Sequence, residues 1–366
     1  GNEAGRVVYD GDTSIAEAGK LLARGPRLSF GRFLVTDAIV DVARCRTEAL
    51  RTVSYSPDVE DPKGLVRVPF AWPACPATHA TPITDTPFSK EDELALAIGN
   101  GLFDHLVKSK TQGFVVSLSG GVDSTAVVTL VRLSIHLAIR ELGLPAVKTR
   151  LAHVRGVEAC DDERAMLGLL LTTLYQGTVN SGEATRSAAR EVAASIGSKH
   201  LDLDISAMVD GYVSLIGQGL GRELAWATDD IALQNVQARV RSPSAWLVAN
   251  VEGKLLLTTS NRSEAALGYA TMDGDTSGGL APIAGIDKAY LRRWLSHVEK
   301  NGVAGAAPMA ALAPVNAMPS TPELRPRDAK QTSEADLMPF AVLDRIERAI
   351  VRDRRSPADA VDVLLD

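Results

Sequence analysis

The string Ser119-Gly120-Gly121-Val122-Asp123-Ser124-Thr125 gathers residue types that suit a phosphate. Two adjacent glycines let backbone N–H groups approach an anion closely, and a helix opening after them adds its positive end. Ser119, Ser124 and Thr125 offer hydroxyl donors. Asp123 is the odd member, because a carboxylate repels polyphosphate unless a cation lies between them. It points to a Mg2+-bridged site or, failing that, to a helix cap. The string is not a Walker loop, which needs Lys where this one has Asp and Ser. Its non-functional alternative is a Ser-Gly-Gly turn capping a buried helix.

These residues need elements to hold them. Phe114-Val115-Val116-Ser117-Leu118 is an apolar run of strand length leading into the glycines, and Ala126 to Val131 continues as a helix. Strand, glycine loop and helix open a βαβ unit. Upstream, Ser89 caps a helix whose apolar face carries Leu94, Ile98, Leu102 and Leu106. Downstream the spacing predicts strands over 169–173, 200–203 and 255–258, with helices over 185–196, up to about Asn250, and from about Ser263. That alternation predicts an α/β fold, a doubly wound, mostly parallel sheet with flanking helices. Residues 304–314 read as loop, and Leu343, Ile346, Ile350 and Val351 as one face of a late helix. Residues 1–55 read as β-rich, with strands at Arg6–Gly11 and Arg32–Asp37. A proline-rich linker follows over 56–88.

Composition narrows the class. Of 366 residues, 45% are hydrophobic and 23% charged, ordinary for a globular core. The net charge of -6 provides no global basic field for nucleic acid. Cys45, Cys75 and Cys160 form no metal or disulfide pattern, and no apolar run approaches the ~20 residues of a membrane span. The polar start lacks a signal-peptide pattern, so a cytoplasmic location with no membrane partner is expected.

The loop resembles the signature of the N-type ATP pyrophosphatases. That group includes NAD, GMP and asparagine synthetases and several tRNA-modifying enzymes, all of which adenylate a substrate and release pyrophosphate. Three further blocks resemble the NAD synthetases within it. They are Thr258 through Asp275, continuing by Gly278-Gly279-Leu280-Ala281-Pro282-Ile283 to Lys288; Gln234 through Arg241; and Ser320-Thr321-Pro322-Glu323-Leu324. The resemblance implies an adenine nucleotide α-hydrolase-like fold over 89–366. It also implies ATP, Mg2+, ammonia and deamido-NAD as reactants and a homodimer formed through this domain.

Roles follow residue by residue. Glu264 comes just after a strand end, which faces the ligand crevice in an open α/β sheet. Asp123 and Glu264 could together hold one Mg2+; otherwise Glu264 is a first-turn acid complementing the helix dipole. Asp123 and Lys288 are the expected catalytic residues, with Lys288 stabilising the pyrophosphate leaving group. ATP is expected against Ser119, Gly120, Gly121, Asp123, Ser124, Thr259, Lys288 and Thr321. Deamido-NAD is expected against Asn235, Arg239, Tyr269 and Asp275, the guanidinium forking onto a phosphate or carboxylate and the tyrosine facing the pyridine ring. Arg241 could equally be a surface charge.

Two positions depart from the ammonia-using enzymes: Met272 stands where Lys is usual, as in the glutamine-using branch, and Gln234 where Glu is frequent. In that branch a nitrilase-like glutaminase domain precedes the synthetase, and its last part resembles Gly5 to Ile15 and the strand around Val35-Thr36-Asp37. Residues 1–55 are thus expected to be its remnant. Its Glu, Lys and Cys centre is matched by nothing here, since Cys45 and Cys75 follow the hairpin and Cys160 reads as a structural thiol. The family usually continues into a basic tail beyond Asp366, so both ends suggest a fragment. The rivals are a GMP synthetase, a tRNA thiolase, which needs a paired Cys and a basic face, and an inactive nucleotide-binding remnant.

Overall fold

The computed structural model describes residues 7–54, 68–71, 83, 88–326 and 332–365. Expectations for Gly1–Arg6, for most of the proline-rich stretch and for Cys75 lie outside the described residues. The chain divides into two compact units, one within Tyr9–Phe88 and one from Ser89 onward that also takes in Val7 and Val8.

The first unit holds an antiparallel hairpin, β1 (Ser14–Glu17) and β2 (Lys20–Arg24), and a helix, α1 (Val42–Arg51). Among the described residues neither expected strand forms. Ala18 and Gly19, at φ +47° and +76°, make the tight turn that sets this hairpin. The Asp10-Gly11 turn is real, with Asp12 N donating to Asp10 Oδ1 at 3.1 Å, but it joins no strands. Asp10 and Asp12 instead accept from Arg27 and Arg24. Residues 33–37 carry β-forming types with no ladder partner among the described residues, and Phe33 and Val35 lie exposed.

The second unit opens with α2 (Lys90–Ser109), capped by Ser89, whose Oγ accepts from Asp92 N at 3.0 Å. β3 (Phe114–Ser117) leads into α3 (Val122–Leu142), followed by α4 (Leu144–Arg150) and α5 (Glu163–Leu170). Next come β4 (Leu171–Gly177), α6 (Glu183–Ile196), β5 (Lys199–Asp204), and three helices, α7 (Ser206–Leu220), α8 (Trp226–Arg239) and α9 (Arg241–Glu252). β6 (Leu255–Leu257) precedes α10 (Arg262–Leu267), α11 (Lys288–Asn301), α12 (Ala313–Ala317), α13 (Ser333–Asp336), α14 (Phe340–Glu347) and α15 (Pro357–Leu365).

Three boundaries differ from expectation. Leu169 and Leu170 finish α5, because Asp162 caps that helix and the ladder begins only where Leu171 pairs with Phe114. Residues 310–317 are a short 3-10 turn and α12 rather than loop, with Pro314 in the first turn where its missing N–H costs nothing. The late helix widens into a π-helical turn over Arg348–Arg352, which buries Ala349 and turns Ile350 and Val351 outward.

The sheet is parallel throughout, in the order β5-β4-β3-β6. From β3 the chain runs outward to β4 and β5, then returns across to β6. The strand order therefore reverses between β3 and β6, and in an open α/β sheet ligands bind at the carboxyl ends of such a pair. Phe114, Val115 and Val116 are fully buried in the middle of this sheet. Among the described residues α3 is the one helix long and apolar enough by composition to cross a membrane, although Asp123, Arg132 and His136 interrupt it, and 78% of its apolar window is buried. It packs against α2 and α11 as a core helix.

Candidate active site

Two loops leave the sheet side by side, one after β3 and one after β6. Leu118 N still donates to Leu174 O at 2.7 Å, so the ladder holds until the glycines begin. Gly120 has φ +82°, and a Cβ there would run into the backbone carbonyl of Thr185. The loop thus needs this glycine for its own fold. Gly121 is different: it caps α3 with ordinary extended angles, and an added Cβ would meet only Ser119 Oγ, at 3.4 Å. That glycine keeps the surface open for a ligand. The Ser119 and Ser124 hydroxyls lie 3.1 Å apart, and Ser124 Oγ donates to Gly121 O. They brace the loop from within. Thr125 is fully buried, its Oγ1 without a partner, and does not reach the cleft.

Asp123 sits in the first turn of α3 and Glu264 in the first turn of α10. Asn261, which caps α10, connects them. Its Nδ2 donates to Asp123 Oδ1 and to Glu264 Oε1, each at 3.0 Å, while its Oδ1 accepts from Glu264 N. Lys288, the first residue of α11, pairs through Nζ with Asp123 Oδ2 and lies 3.7 Å from Glu264 Oε1. All three charged side chains are largely withdrawn from water. Burial, then the charge of Asp123, pushes the Glu264 carboxyl up to about 8. Burial alone would pull Lys288 down, but Asp123 and Glu264 outweigh it and hold the ammonium above its usual range. Asp275, buried nearby, is raised by burial in the same way.

Three carboxyl groups therefore face one ammonium, and Glu264 Oε2 is buried without a hydrogen-bond partner. That orphan oxygen and the excess of negative charge fit a divalent cation. No cluster of three or more His, Cys, Asp or Glu that could hold a metal occurs among the described residues. Two carboxylates are nevertheless what Mg2+ usually takes from a protein when phosphates supply the other ligands.

The cleft beside this cluster has a volume of about 800 Å3. Ser119, Gly120, Gly121, Thr259 and Thr321 line it, together with Asn235, Tyr269 and Asp275. Thr259 and Asp275 are tied to each other, Thr259 N donating to Asp275 O at 3.0 Å. Tyr269 donates its hydroxyl to Asp336 Oδ2 at 2.8 Å, and burial together with that carboxylate pushes its pKa up to about 12. The ring is thus fixed by a contact outside the expected set.

Arg239 is not brought into the cleft. Ile231, Gln234, Asn235 and Ala238 form the lining face of α8, and Arg239 falls one position past it. Its guanidinium turns outward to Asp273, 3.3 Å away, and to Met272 Sδ. Arg241, which the sequence left open as a surface charge, lines the cleft instead. It donates from Nε to Gln176 O, and burial pulls its pKa down.

Other residues went unread. Glu323, at φ +49°, accepts from Thr185 Oγ1 at 3.1 Å and from Gly182 N, joining the late loop to α6. Gln237 is buried and donates to Leu324 O at 2.7 Å. Only Asn261 carried a local signal, as a cap-forming type just ahead of a helix. Cys160 is buried and lines no part of the cleft, as befits a structural thiol.

The NAD synthase family model matches residues 95–363. The glutamine-dependent NAD(+) synthetase of Oryza sativa subsp. indica is 31% identical, over 92% of this chain and 49% of its own length. The Homo sapiens protein of that name is 30% identical, over 92% and 50%. The chain spans about half the length of the curated relatives it matches. Among solved structures, a glutamine-dependent NAD(+) synthetase from Cytophaga hutchinsonii superposes with TM-score 0.73 at 36% identity, covering 100% of this chain and 52% of that one. An NMN synthetase from Francisella tularensis, 17% identical with TM-score 0.52 over 75% of this chain and 92% of its own, shares the fold. The chain belongs to the NAD synthase family.

Proposed function

We propose that this chain amidates deamido-NAD to NAD, consuming ATP and releasing AMP and pyrophosphate. The observation that carries the reading is the joining of Asp123 and Glu264 through Asn261, with Lys288 paired to Asp123, at the reversal point of the sheet. A free carboxylate is a poor electrophile because oxide is a very poor leaving group. Adenylation makes it a mixed anhydride from which AMP departs readily, and ammonia then forms the amide. The Gly121 and Ser119 backbone would cradle the phosphates at the positive end of α3. Asp123 and Glu264 would hold Mg2+, which neutralises phosphate charge when bound. Lys288 would meet the charge that grows on departing pyrophosphate, a contribution made mainly in the transition state. Asn235, Tyr269, Asp275 and Arg241, which line the cleft, would hold the acceptor. Ammonia would come from solution, or from glutamine in a longer protein of the kind its relatives' names describe.

A homodimer fits the same reading. Helix α7 buries no residue and exposes Met208, Tyr212, Leu215, Ile216 and Leu220. They fall on one apolar face, the kind of patch that marks an interaction surface.

The test is turnover. Purified protein supplied with ATP, Mg2+, ammonium and deamido-NAD should release AMP and NAD in equal amounts. Nucleotide binding with no NAD formed overturns the reading and leaves a nucleotide-binding remnant.

A further inference from the structure

Behind the cleft, Arg262 lies among three buried carboxylates, none of which lines the cavity. Its Nη2 is 3.3 Å from Asp287 Oδ2 and 3.7 Å from Asp344 Oδ1, and its Nε donates to Glu347 Oε2 at 3.3 Å. The carboxylates belong to two elements. Asp287 caps α11, its Oδ1 accepting from Tyr290 N at 2.7 Å, and so fixes the helix end that carries Lys288. Asp344 and Glu347 belong to α14, whose Phe340 ring lies 5.8 Å from Lys288 Nζ. Arg262 itself follows Asn261 and stands two residues before Glu264. Two further bonds close the joint: Arg262 N donates to Ile286 O at 2.9 Å, and Lys288 N to Ser263 Oγ at 3.2 Å.

We infer that Arg262, Asp344 and Glu347 are positioning residues that set where the Lys288 ammonium stands between Asp123 and Glu264. The inference rests on the function proposed above for what Lys288 does, but not for where it is held. Charge placement supports it. Burying three carboxylates around one guanidinium is expensive unless each is bonded, and removing one partner leaves the others exposed to that cost. Arg348 covers part of it by bonding both oxygens of Asp344, yet Glu347 Oε1 has no partner among the described residues. Ala289 of α11 already packs against Phe340 and Leu343 of α14, an apolar contact that holds the two helices together. What the ionic joint adds is direction, since a forked guanidinium fixes the angle between the elements it bridges.

Two measurements on Glu347→Gln test this, one of which needs no turnover. Acetic anhydride labelling read by peptide mass spectrometry should show Lys288 reacting at least fivefold faster in the variant, with Lys254 unchanged. Lys254 is a buried lysine paired with Glu252, and it reports general loosening. In the amidation assay kcat should fall at least tenfold while KM for ATP stays within threefold, because a misplaced Lys288 loses transition-state rather than ground-state contacts. Unchanged Lys288 labelling overturns the inference, as does a parallel rise at Lys288 and Lys254. A parent protein that makes no NAD sinks the proposed function instead, and the labelling still judges the positioning. If Glu347→Gln does not fold, Arg262→Lys keeps the charge but loses the fork and should show the same selective rise at Lys288. An Arg262→Lys protein with parental labelling overturns the inference equally.

Discussion

Asn261 donates from Nδ2 to Asp123 Oδ1 at 3.0 Å, although 138 residues separate the two in sequence. The same amide reaches Glu264, so one side chain sets the spacing of both candidate metal ligands while capping α10. Asn261→Ala should lose the cap, about 1 kcal/mol or a drop of roughly 2–4 °C in Tm. It should lose kcat by about 100-fold, since small displacements of catalytic groups are costly. Asn261→Asp keeps the cap but adds a third carboxylate between the two. Its Tm should stay near the parent's while its kcat falls as far as that of Asn261→Ala. Equal activity in the Asp variant and the parent would show that the amide serves only as a cap.

The two glycines of the loop should separate in the same way. Gly120→Ala faces both a positive φ and the Thr185 carbonyl, so it should destabilise by about 2 kcal/mol or more. Gly121→Ala meets only a hydroxyl and should stay within about 0.5 kcal/mol of the parent, yet raise KM for ATP by blocking backbone approach. Thermal melts and initial rates on the two variants decide it. A stable Gly120→Ala protein would count against the packing argument.

Much of this was legible because the decisive signals are local. Phe114 to Val131 reads as strand, glycine loop and helix from types and spacing alone, and Glu264 and Lys288 stood in blocks resembling a family. The connections between those blocks were not legible. That Asn261 faces Asp123, that Glu323 reaches Thr185, or that Arg262 collects Asp344 and Glu347 depends on contacts across 82 to 138 residues. In the first unit the Asp-Gly pair outshone Ala18-Gly19, a turn whose first residue has no obvious taste for positive φ. At Leu169 an apolar run fitted strand and helix equally, and the Asp162 cap decided it.

Arg239 and Arg241, two residues apart where α8 gives way to α9, take different roles. Arg239→Ala removes a contact with exposed Asp273 and should leave kcat/KM for deamido-NAD within threefold of the parent. Arg241→Ala removes a charge that lines the cleft and should lower that ratio at least tenfold. The reverse order would mean that Arg239 swings inward when the acceptor binds.

The sheet is also held at its far edge, away from the chemistry. There Glu252, at the end of α9, accepts from Lys199 of β5 and Thr172 of β4, each at 2.6 Å, and pairs with Lys254 just before β6 at 2.9 Å. Burial works against its ionisation, but Lys199, Thr172 and Lys254 outweigh that and hold the carboxyl at about 2. A carboxyl depressed below its unfolded value of roughly 4.3 stabilises the fold fully above that pH and loses the effect as pH falls toward 2. Burial pulls Lys254 down as well, but it stays charged throughout this acid window. Glu252→Gln should therefore cost on the order of 1–2 kcal/mol of stability at pH 7 after solvent screening, and lower Tm accordingly. Its Tm should also fall less steeply than the parent's between pH 5 and pH 3, roughly the span of the shift. Because the clamp joins strand starts and the cleft lies at strand ends, kcat and KM at 25 °C, roughly the temperature to which these free energies refer, should be unchanged. A variant with parental melting behaviour, or one that loses activity before stability, would show that the far edge is not where this sheet is tied.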